Sequence, residues 1–194
     1  MSKGRLEAFS DGVIAVIITI MVLELKAPAG HDLTALATLA PVFASYVISF
    51  LFVGIYWVNH HHLLQAVDRV SGGVLWANLI LLFCLSLIPF LTVWLGDTWL
   101  SEWPVACYGI VGFLSGVSYS GLVMALQRVP GQSPALARAI GNDRKGKLSL
   151  ISYAVGSVCA FVIPAVSIVL YLLVSAMWLI PDRRIENTVS SPAE

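Results

Sequence analysis

The sequence predicts an all-α integral membrane protein with six transmembrane helices per subunit, and three observations support this prediction. Of 194 residues, 58% are hydrophobic and 11% are charged, whereas soluble domains are about 45–50% apolar and about 25% charged. Long apolar blocks recur along the chain, and the positive charges follow a one-sided pattern between them. This composition excludes an ordinary soluble domain, and the formal net charge of +0 gives no reason to expect nucleic-acid binding.

The lengths of the apolar blocks suit the thickness of a bilayer, because a helix of about 20 apolar residues crosses its hydrocarbon core. Four of them predict one span each, over residues 6–25, 36–64, 74–95 and 103–126. A fifth block, residues 148–180, is too long for one straight span and contains Pro164 near its middle, so it predicts two short helices joined by a tight turn. The first block is not a cleavable signal, because its apolar run is long and contains Asp11.

The positive charges predict the orientation. If the spans alternate, every Lys and Arg except Lys26 lies on the side of the N-terminus. Cytoplasmic loops carry an excess of Lys and Arg, so both termini are predicted to be cytoplasmic. Six spans are favoured over five, because five would place Arg183 and Arg184 outside. The sequence therefore predicts a membrane domain over residues 1–181, with an exposed polar linker at 128–147, and a disordered cytoplasmic tail over residues 182–194.

Asp11 lies inside the first predicted span, where an ionisable residue is costly and suggests a functional hypothesis. Arg5 precedes it by six residues, a spacing that does not bring two side chains together on one helix, so a partner on another helix is favoured. Two interpretations of Asp11 remain open at this point. It is either a structural anchor near the helix N-terminus or part of a conduction path.

Three consecutive histidines, His60, His61 and His62, end the second predicted span. Neighbouring side chains on a helix point about 100° apart, so one helix cannot direct all three at one metal ion. A histidine hydrogen bond to Asp11 or to a backbone carbonyl is favoured instead, and Asn78 lies at a similar depth. The sequence predicts no metal site and no cofactor.

Other polar and reactive residues give weaker indications. Glu24 is either an interfacial charge or, in an oligomer, a member of an acidic ring at a pore mouth. Cys84, Cys107 and Cys159 lie in apolar runs and are interpreted as small hydrophobic residues without disulfides. The chain contains no GxSxG, HExxH, CxxC or P-loop motif, so it is not predicted to be an enzyme.

One stripe of the first span carries Val16, Ile20 and Leu23 at spacings that place them on one helix face, with Thr19 beside them. Periodicity alone indicates only that this stripe contacts lipid or a neighbouring helix.

The segment Arg5-Leu6-Glu7-Ala8-Phe9-Ser10-Asp11-Gly12-Val13 resembles the opening signature of the transmembrane protein 175 family. Further likeness lies in the second span, at Ser49-Phe50, Tyr56-Trp57 and His60-His61, and in the third span, at Trp76, Asn78-Leu79 and Pro89-Phe90. The last three spans resemble the family mainly in hydropathy. The bacterial members are small six-span proteins, and the animal member is an endolysosomal potassium channel with two such units.

The resemblance implies a homotetrameric, weakly selective potassium channel in the plasma membrane, with a central pore lined by the first helix. It also implies that bulky apolar side chains on that helix form the narrowest point, at positions matched here by Val16, Ile20 and Leu23. Val16 departs from the isoleucine or leucine usual in the family, and its smaller side chain is expected to widen the constriction or to loosen its selectivity. Thr19 matches a threonine whose hydroxyl lies at the pore.

The resemblance further implies a structural polar network that holds the first three spans together, formed here by Arg5, Ser10, Asp11, Trp57, His60, His61 and Asn78. It therefore favours the structural interpretation of Asp11. The implied partners are potassium ions, other copies of the chain and the lipid bilayer. Two alternatives remain: a proton-coupled secondary transporter that uses Asp11 and His61, and a membrane enzyme or metal-binding protein that uses His60 to His62.

Overall fold

The computed structural model describes residues 2–131 and 143–179, which fold into α-helices joined by short connections. The helices are α1 (Lys3–Leu23), α2 (Leu33–Ala37), α3 (Ala40–Gln65), α4 (Gly72–Ser86), α5 (Ile88–Asp97), α6 (Glu102–Gln127), α7 (Arg144–Cys159) and α8 (Pro164–Leu179). These two stretches contain no β-strand. Most of the predicted 128–147 linker, and the predicted tail at 182–194, lie outside the described residues.

Among the described residues, four segments are long and apolar enough to cross a membrane, and they correspond to the first four predicted spans: Lys3–Leu23, Ala40–Gln65, Gly72–Asp97 and Glu102–Gln127. The second begins later than predicted, at Ala40, because α2 forms a separate short helix before it. Asp32 caps α2 by accepting a hydrogen bond from the Ala35 backbone N–H at 2.9 Å, which lowers the pKa of this exposed carboxyl. Pro41 lies in the first turn of α3. Backbone N–H groups in the first turn have no partner within the helix, so a residue without an N–H costs α3 no hydrogen bond.

The third span is interrupted at Leu87, which the sequence-based prediction of one span over residues 74–95 did not include. Helix α4 ends at Ser86, and α5 begins at Ile88. Pro89 lies in the first turn of α5. A proline has no N–H for the preceding turn, and its ring collides with the carbonyl four residues earlier, so the helical ladder breaks at this level.

The final apolar block forms two short helices, α7 and α8, as its length and Pro164 predict. Each has 16 residues, which corresponds to about 24 Å at about 1.5 Å per residue. Residues 160–163 turn tightly between them, and Pro164 opens α8, a position that suits a residue without an N–H. Both helices are shorter than a straight crossing of the hydrocarbon core, so the count of six spans remains a prediction.

Helix α6 packs against α4, α5, α7 and α8, whereas α1 packs against α3, α4 and α5. Aromatic rings fill the space between α3, α6, α7 and α8, where Phe52, Tyr108, Tyr153 and Tyr171 form ring pairs with centroids 5.3–6.0 Å apart. None of these rings belongs to α1, which lies at one side of the bundle, away from this aromatic core.

The three cysteines are free; Cys84 is buried, and the other two are half-buried.

Gly109 on α6 lies where that helix packs against side chains of α7 and α8. A Cβ at this position collides with the hydroxyls of Tyr171 and Ser157. We expect Gly109→Ala to lower the free energy of unfolding by about 1–3 kcal/mol, the usual cost of overpacking a core. Gly121 lies on the same helix with open space around its Cα, so Gly121→Ala is the matched control. Equal thermal unfolding midpoints for the two variants in detergent would contradict this account of the packing.

Candidate functional site

Helix α1 has one face packed against its own chain and one face exposed. The buried residues are Leu6, Ser10, Ile14, Ile17 and Met21. On the exposed face, Val16, Ile20 and Leu23 have exposed fractions of 54%, 43% and 78%. They extend along about 10 Å of the helix axis. The structure thus places the three predicted constriction residues together on a face that residues 2–131 and 143–179 leave uncovered.

Thr19 lies on the same exposed face. Its hydroxyl donates to the Val16 carbonyl at 3.0 Å. Because a threonine oxygen has two acceptor lone pairs, this bond leaves the oxygen able to accept from water or to contact a cation. The exposed face therefore combines bulky apolar side chains with one level of hydroxyl oxygens.

A buried chain of hydrogen bonds joins α3, α4 and α1. His60 Nε2 lies 2.7 Å from Asn78 Oδ1, and Asn78 Nδ2 donates to Ser10 Oγ at 2.9 Å. Ser10 Oγ in turn donates to the Leu6 carbonyl at 2.9 Å. Since Asn78 presents its carbonyl oxygen to His60, the network assigns the proton of neutral His60 to Nε2. All donors then point in one direction, from α3 through α4 to α1.

A second, exposed row of contacts joins α1 to α3 alongside this chain. Trp57 Nε1 donates to Asp11 Oδ1 at 3.0 Å, and His61 Nδ1 lies 3.5 Å from Glu7 Oε1. Gln65 Nε2 lies 2.8 Å from His61 Nε2. The Trp57 and His61 rings stack with centroids 6.1 Å apart. Helix α1 is thus held to α3 by separate buried and exposed polar contacts near its N-terminal end.

The structure places the residues predicted to form one polar network in separate groups. It joins Ser10, His60 and Asn78, and it pairs Asp11 with Trp57. The sequence favours a histidine bond to Asp11 or to a backbone carbonyl. Among the described residues, Asp11 accepts instead from the Trp57 indole, whereas His60 and His61 bond Asn78 and Gln65. Arg5 is exposed, and within residues 2–131 and 143–179 no hydrogen bond or ion pair joins it to the cluster.

The contact of Glu7 with His61 was not predicted, although the spacing of Glu7 from Asp11 indicated that both face the same neighbouring helix. Glu7 precedes Asp11 by four residues and therefore lies on the same side of α1. His61 follows Trp57 by four residues on α3, so the two pairs form successive rungs between the same helices.

A second polar cluster lies deeper in the bundle and was also not predicted. Thr92 Oγ1 on α5 is 2.6 Å from Ser49 Oγ and 3.6 Å from Met21 Sδ, and Ser49 Oγ is 3.2 Å from the Tyr108 hydroxyl. Met21, near the C-terminal end of α1, therefore gives the buried face of that helix a polar contact with Thr92. The only sequence signal was hydroxyl residues within apolar spans, and such residues often bond to their own helix.

The three consecutive histidines do not converge. His60 faces Asn78, and His61 faces Glu7 and Gln65. Within the described parts of the chain, no group of three His, Cys, Asp or Glu side chains is placed to hold a metal ion. The geometry offers contacts between helices here, not a coordination shell.

Comparisons with known proteins place this geometry in a family context. A family model described as "Endosomal/lysosomal potassium channel TMEM175" matches residues 5–89, which include α1, α3 and α4. A protein named as a potassium channel from Chryseobacterium sp. (strain P1-3) is 49% identical over 189 residues, covering 97% of this chain and 98% of that protein. A zebrafish (Danio rerio) protein named "Endosomal/lysosomal proton channel TMEM175" is 32% identical over 130 residues, 64% of this chain and 24% of that protein.

The fold is similar to a solved structure. The crystal structure of a lysosomal potassium-selective channel TMEM175 homologue from Chamaesiphon minutus superposes with a TM-score of 0.79. The alignment covers 94% of this chain and 97% of that protein at 24% sequence identity. At this identity the similarity establishes the fold of the chain.

Proposed function

Because the chain belongs to the TMEM175 family of membrane channels, we propose that it is a weakly selective potassium channel whose pore is lined by α1. The observation that carries the proposal is the exposed face of α1, where Val16, Ile20 and Leu23 lie in line. The relatives named as potassium channels from Chryseobacterium and from Streptomyces collinus support the choice of ion; the latter is 41% identical over 99 residues, about half of each chain.

The exposed face of α1 suits a pore better than a purely lipid-facing surface. It carries Thr19, whose hydroxyl oxygen is free to accept, among apolar side chains. Four copies of each apolar residue around an axis make short hydrophobic rings that restrict flux by dewetting without binding an ion tightly. Modest selectivity then arises from the cost of removing water from the ion, offset by oxygens at the Thr19 level.

The assembly and topology belong to the same proposal. We place four copies around α1 in the plasma membrane, with six spans in each subunit and both termini in the cytoplasm. The one-sided distribution of Lys and Arg supports this orientation. The membrane domain extends over residues 1–181. In this orientation the row of contacts from Asp11 and Glu7 to α3 lies at the cytoplasmic end of the pore helix.

Liposome flux tests this proposal. The purified protein is reconstituted in potassium-loaded liposomes, and flux is driven by a potassium gradient with sodium as the comparison. We expect rapid flux that is faster for potassium than for sodium. A well-folded tetramer that passes neither ion would overturn the proposal.

Val16→Leu is expected to narrow the first apolar ring. The longer side chain adds a methylene from each of four subunits at a position with 54% exposure in the single chain. We expect lower potassium flux and a higher potassium-to-sodium ratio in the same liposomes. An unchanged rate and ratio would remove Val16 from the constriction and leave Ile20 and Leu23 to form it.

A second candidate function is proton-coupled transport through Asp11 and His61. Two observations favour it: the zebrafish relative is named a proton channel, and Asp11, Glu7 and His61 lie together in the exposed contact row. Slow, saturable transport driven by a pH gradient would support this function. Fast potassium flux that does not respond to a proton gradient in the unaltered protein, and that Asp11→Asn and His61→Gln do not change, would contradict it.

A further inference from the structure

A cavity lies between α3, α6, α7 and α8, on the side of the bundle away from the exposed face of α1. It measures about 560 Å³ including its open mouth. No α1 residue lines it. Its inner end is aromatic, with Phe52 and Tyr56 from α3 and Tyr153 from α7 in ring contact. Its outer end lies at Asp143, the residue that precedes α7, and at Trp178, in the last turn of α8.

Three polar side chains in the wall donate to backbone carbonyls of their own helices. Ser120 Oγ donates to the Gly116 carbonyl at 2.9 Å, and Ser175 Oγ donates to the Tyr171 carbonyl at 3.1 Å. Asn59 Nδ2 donates to the Ile55 carbonyl at 2.8 Å. The wall therefore presents mainly apolar surface to an occupant. Such a lining suits a hydrocarbon chain better than a ligand that needs many hydrogen-bond donors.

The mouth of the cavity combines charges of both signs. Asp143 lines the mouth and accepts from the Gly146 backbone N–H through one oxygen, at 2.7 Å. Lys145 lies over the Trp178 ring, with its Nζ 5.7 Å from the ring centroid, and donates to the Met177 carbonyl at 3.3 Å. Arg144 and Lys147 are exposed in the same first turn. An ammonium group complements Asp143, and a phosphate complements the basic turn of α7 and the positive end of that helix.

We propose that this cavity binds one acyl chain of a membrane phospholipid with a primary-amine headgroup. The chain lies between the aromatic residues of α3 and α7, the phosphate lies at the basic first turn of α7, and the amine faces Asp143. The lipid then supports α3 from the side opposite α1. The site is separate from the proposed ion path along α1, since its lining comes from α3, α6, α7 and α8.

Native mass spectrometry of the purified full-length protein tests whether the cavity holds a lipid. Ser120→Phe fills the cavity from α6, and Ser175→Leu fills it from α8. Val117→Phe is the matched control, because Val117 lies on α6 but is exposed outside the cavity. We expect one phospholipid per chain in the unaltered protein and the control, and none in either cavity-filling variant. Equal lipid occupancy in all four proteins, or no lipid in the unaltered protein, would overturn the proposal.

The headgroup assignment is tested by adding lipid back to delipidated protein. Phosphatidylethanolamine and phosphatidylglycerol with identical acyl chains are compared by the lipid concentration that half-saturates the bound peak. One lost charge contact is expected to weaken binding about fivefold, so phosphatidylethanolamine is expected to bind about fivefold more tightly. Asp143→Asn keeps a residue that can cap α7 and is expected to abolish this preference. Equal affinities for the two lipids in the unaltered protein would overturn the amine assignment.

Discussion

Leu23→Ala and Ile20→Ala are each expected to raise potassium flux through reconstituted liposomes by at least about tenfold, the factor that corresponds to about 1.4 kcal/mol off a barrier. Both side chains lie on the exposed face of α1, and truncation removes apolar surface from every subunit at one level of the proposed pore. A wider and less apolar ring stays wetted more readily, so the ion crosses with more of its hydration water. The measurement is the initial rate of potassium flux at equal protein density.

Val22→Ala is the matched control for these two variants. Val22 lies on the same helix and is also exposed, but it is rotated about 100° from Leu23 and about 160° from Ile20 around the helix axis. We expect its flux to match that of the unaltered protein. Unchanged flux in both Leu23→Ala and Ile20→Ala would remove the hydrophobic constriction from the proposal. An equal rise in all three variants would attribute the effect to loosened helix packing.

The sequence predicted the membrane class, the family and most span limits. Hydropathy reports which segments reside in lipid, and the family suggested by the Arg5-to-Val13 segment is confirmed by the 49% identical relative. Membership of a channel family also confirms that the chain is not an enzyme. The interruption at Leu87 was missed because a continuous apolar run hides a break in the helix, although Pro89 gave a local signal.

The contacts of α1 were harder to predict, for a physical reason. In a membrane, the packed and exposed faces of a helix are both apolar, so periodicity does not separate Ile14 and Ile17 from Val16 and Ile20. Depth along the spans was sufficient to bring His60 and Asn78 to the same level. It was not sufficient to choose between a histidine and Trp57 as the partner of Asp11, because that choice depends on the rotation of α3 about its axis.

Asn78→Ala is expected to lower the free energy of unfolding by about 2–3 kcal/mol, since buried polar groups left without partners cost about 1–3 kcal/mol. Asn78 is fully buried and bonds both His60 and Ser10, so its removal leaves a ring N–H without an acceptor and breaks the link from α3 to α1. Interhelical hydrogen bonds in membrane proteins average about 0.6 kcal/mol, so most of the loss comes from the unpaired histidine. The measurement is the thermal unfolding midpoint in detergent.

Asp11→Ala provides the contrast that separates subunit folding from assembly. The Asp11 bond is made with Trp57, which is 44% exposed in the single chain, so its loss is expected to change the unfolding of the subunit by less than Asn78→Ala does. If four copies meet around α1, this exposed row lies near neighbouring subunits, and the loss appears instead as a smaller tetramer fraction by light scattering. An Asp11→Ala protein with a normal tetramer and altered conduction alone would return Asp11 to the ion path. An Asn78→Ala protein as stable as the unaltered one would show that the buried chain does not hold α1 in place.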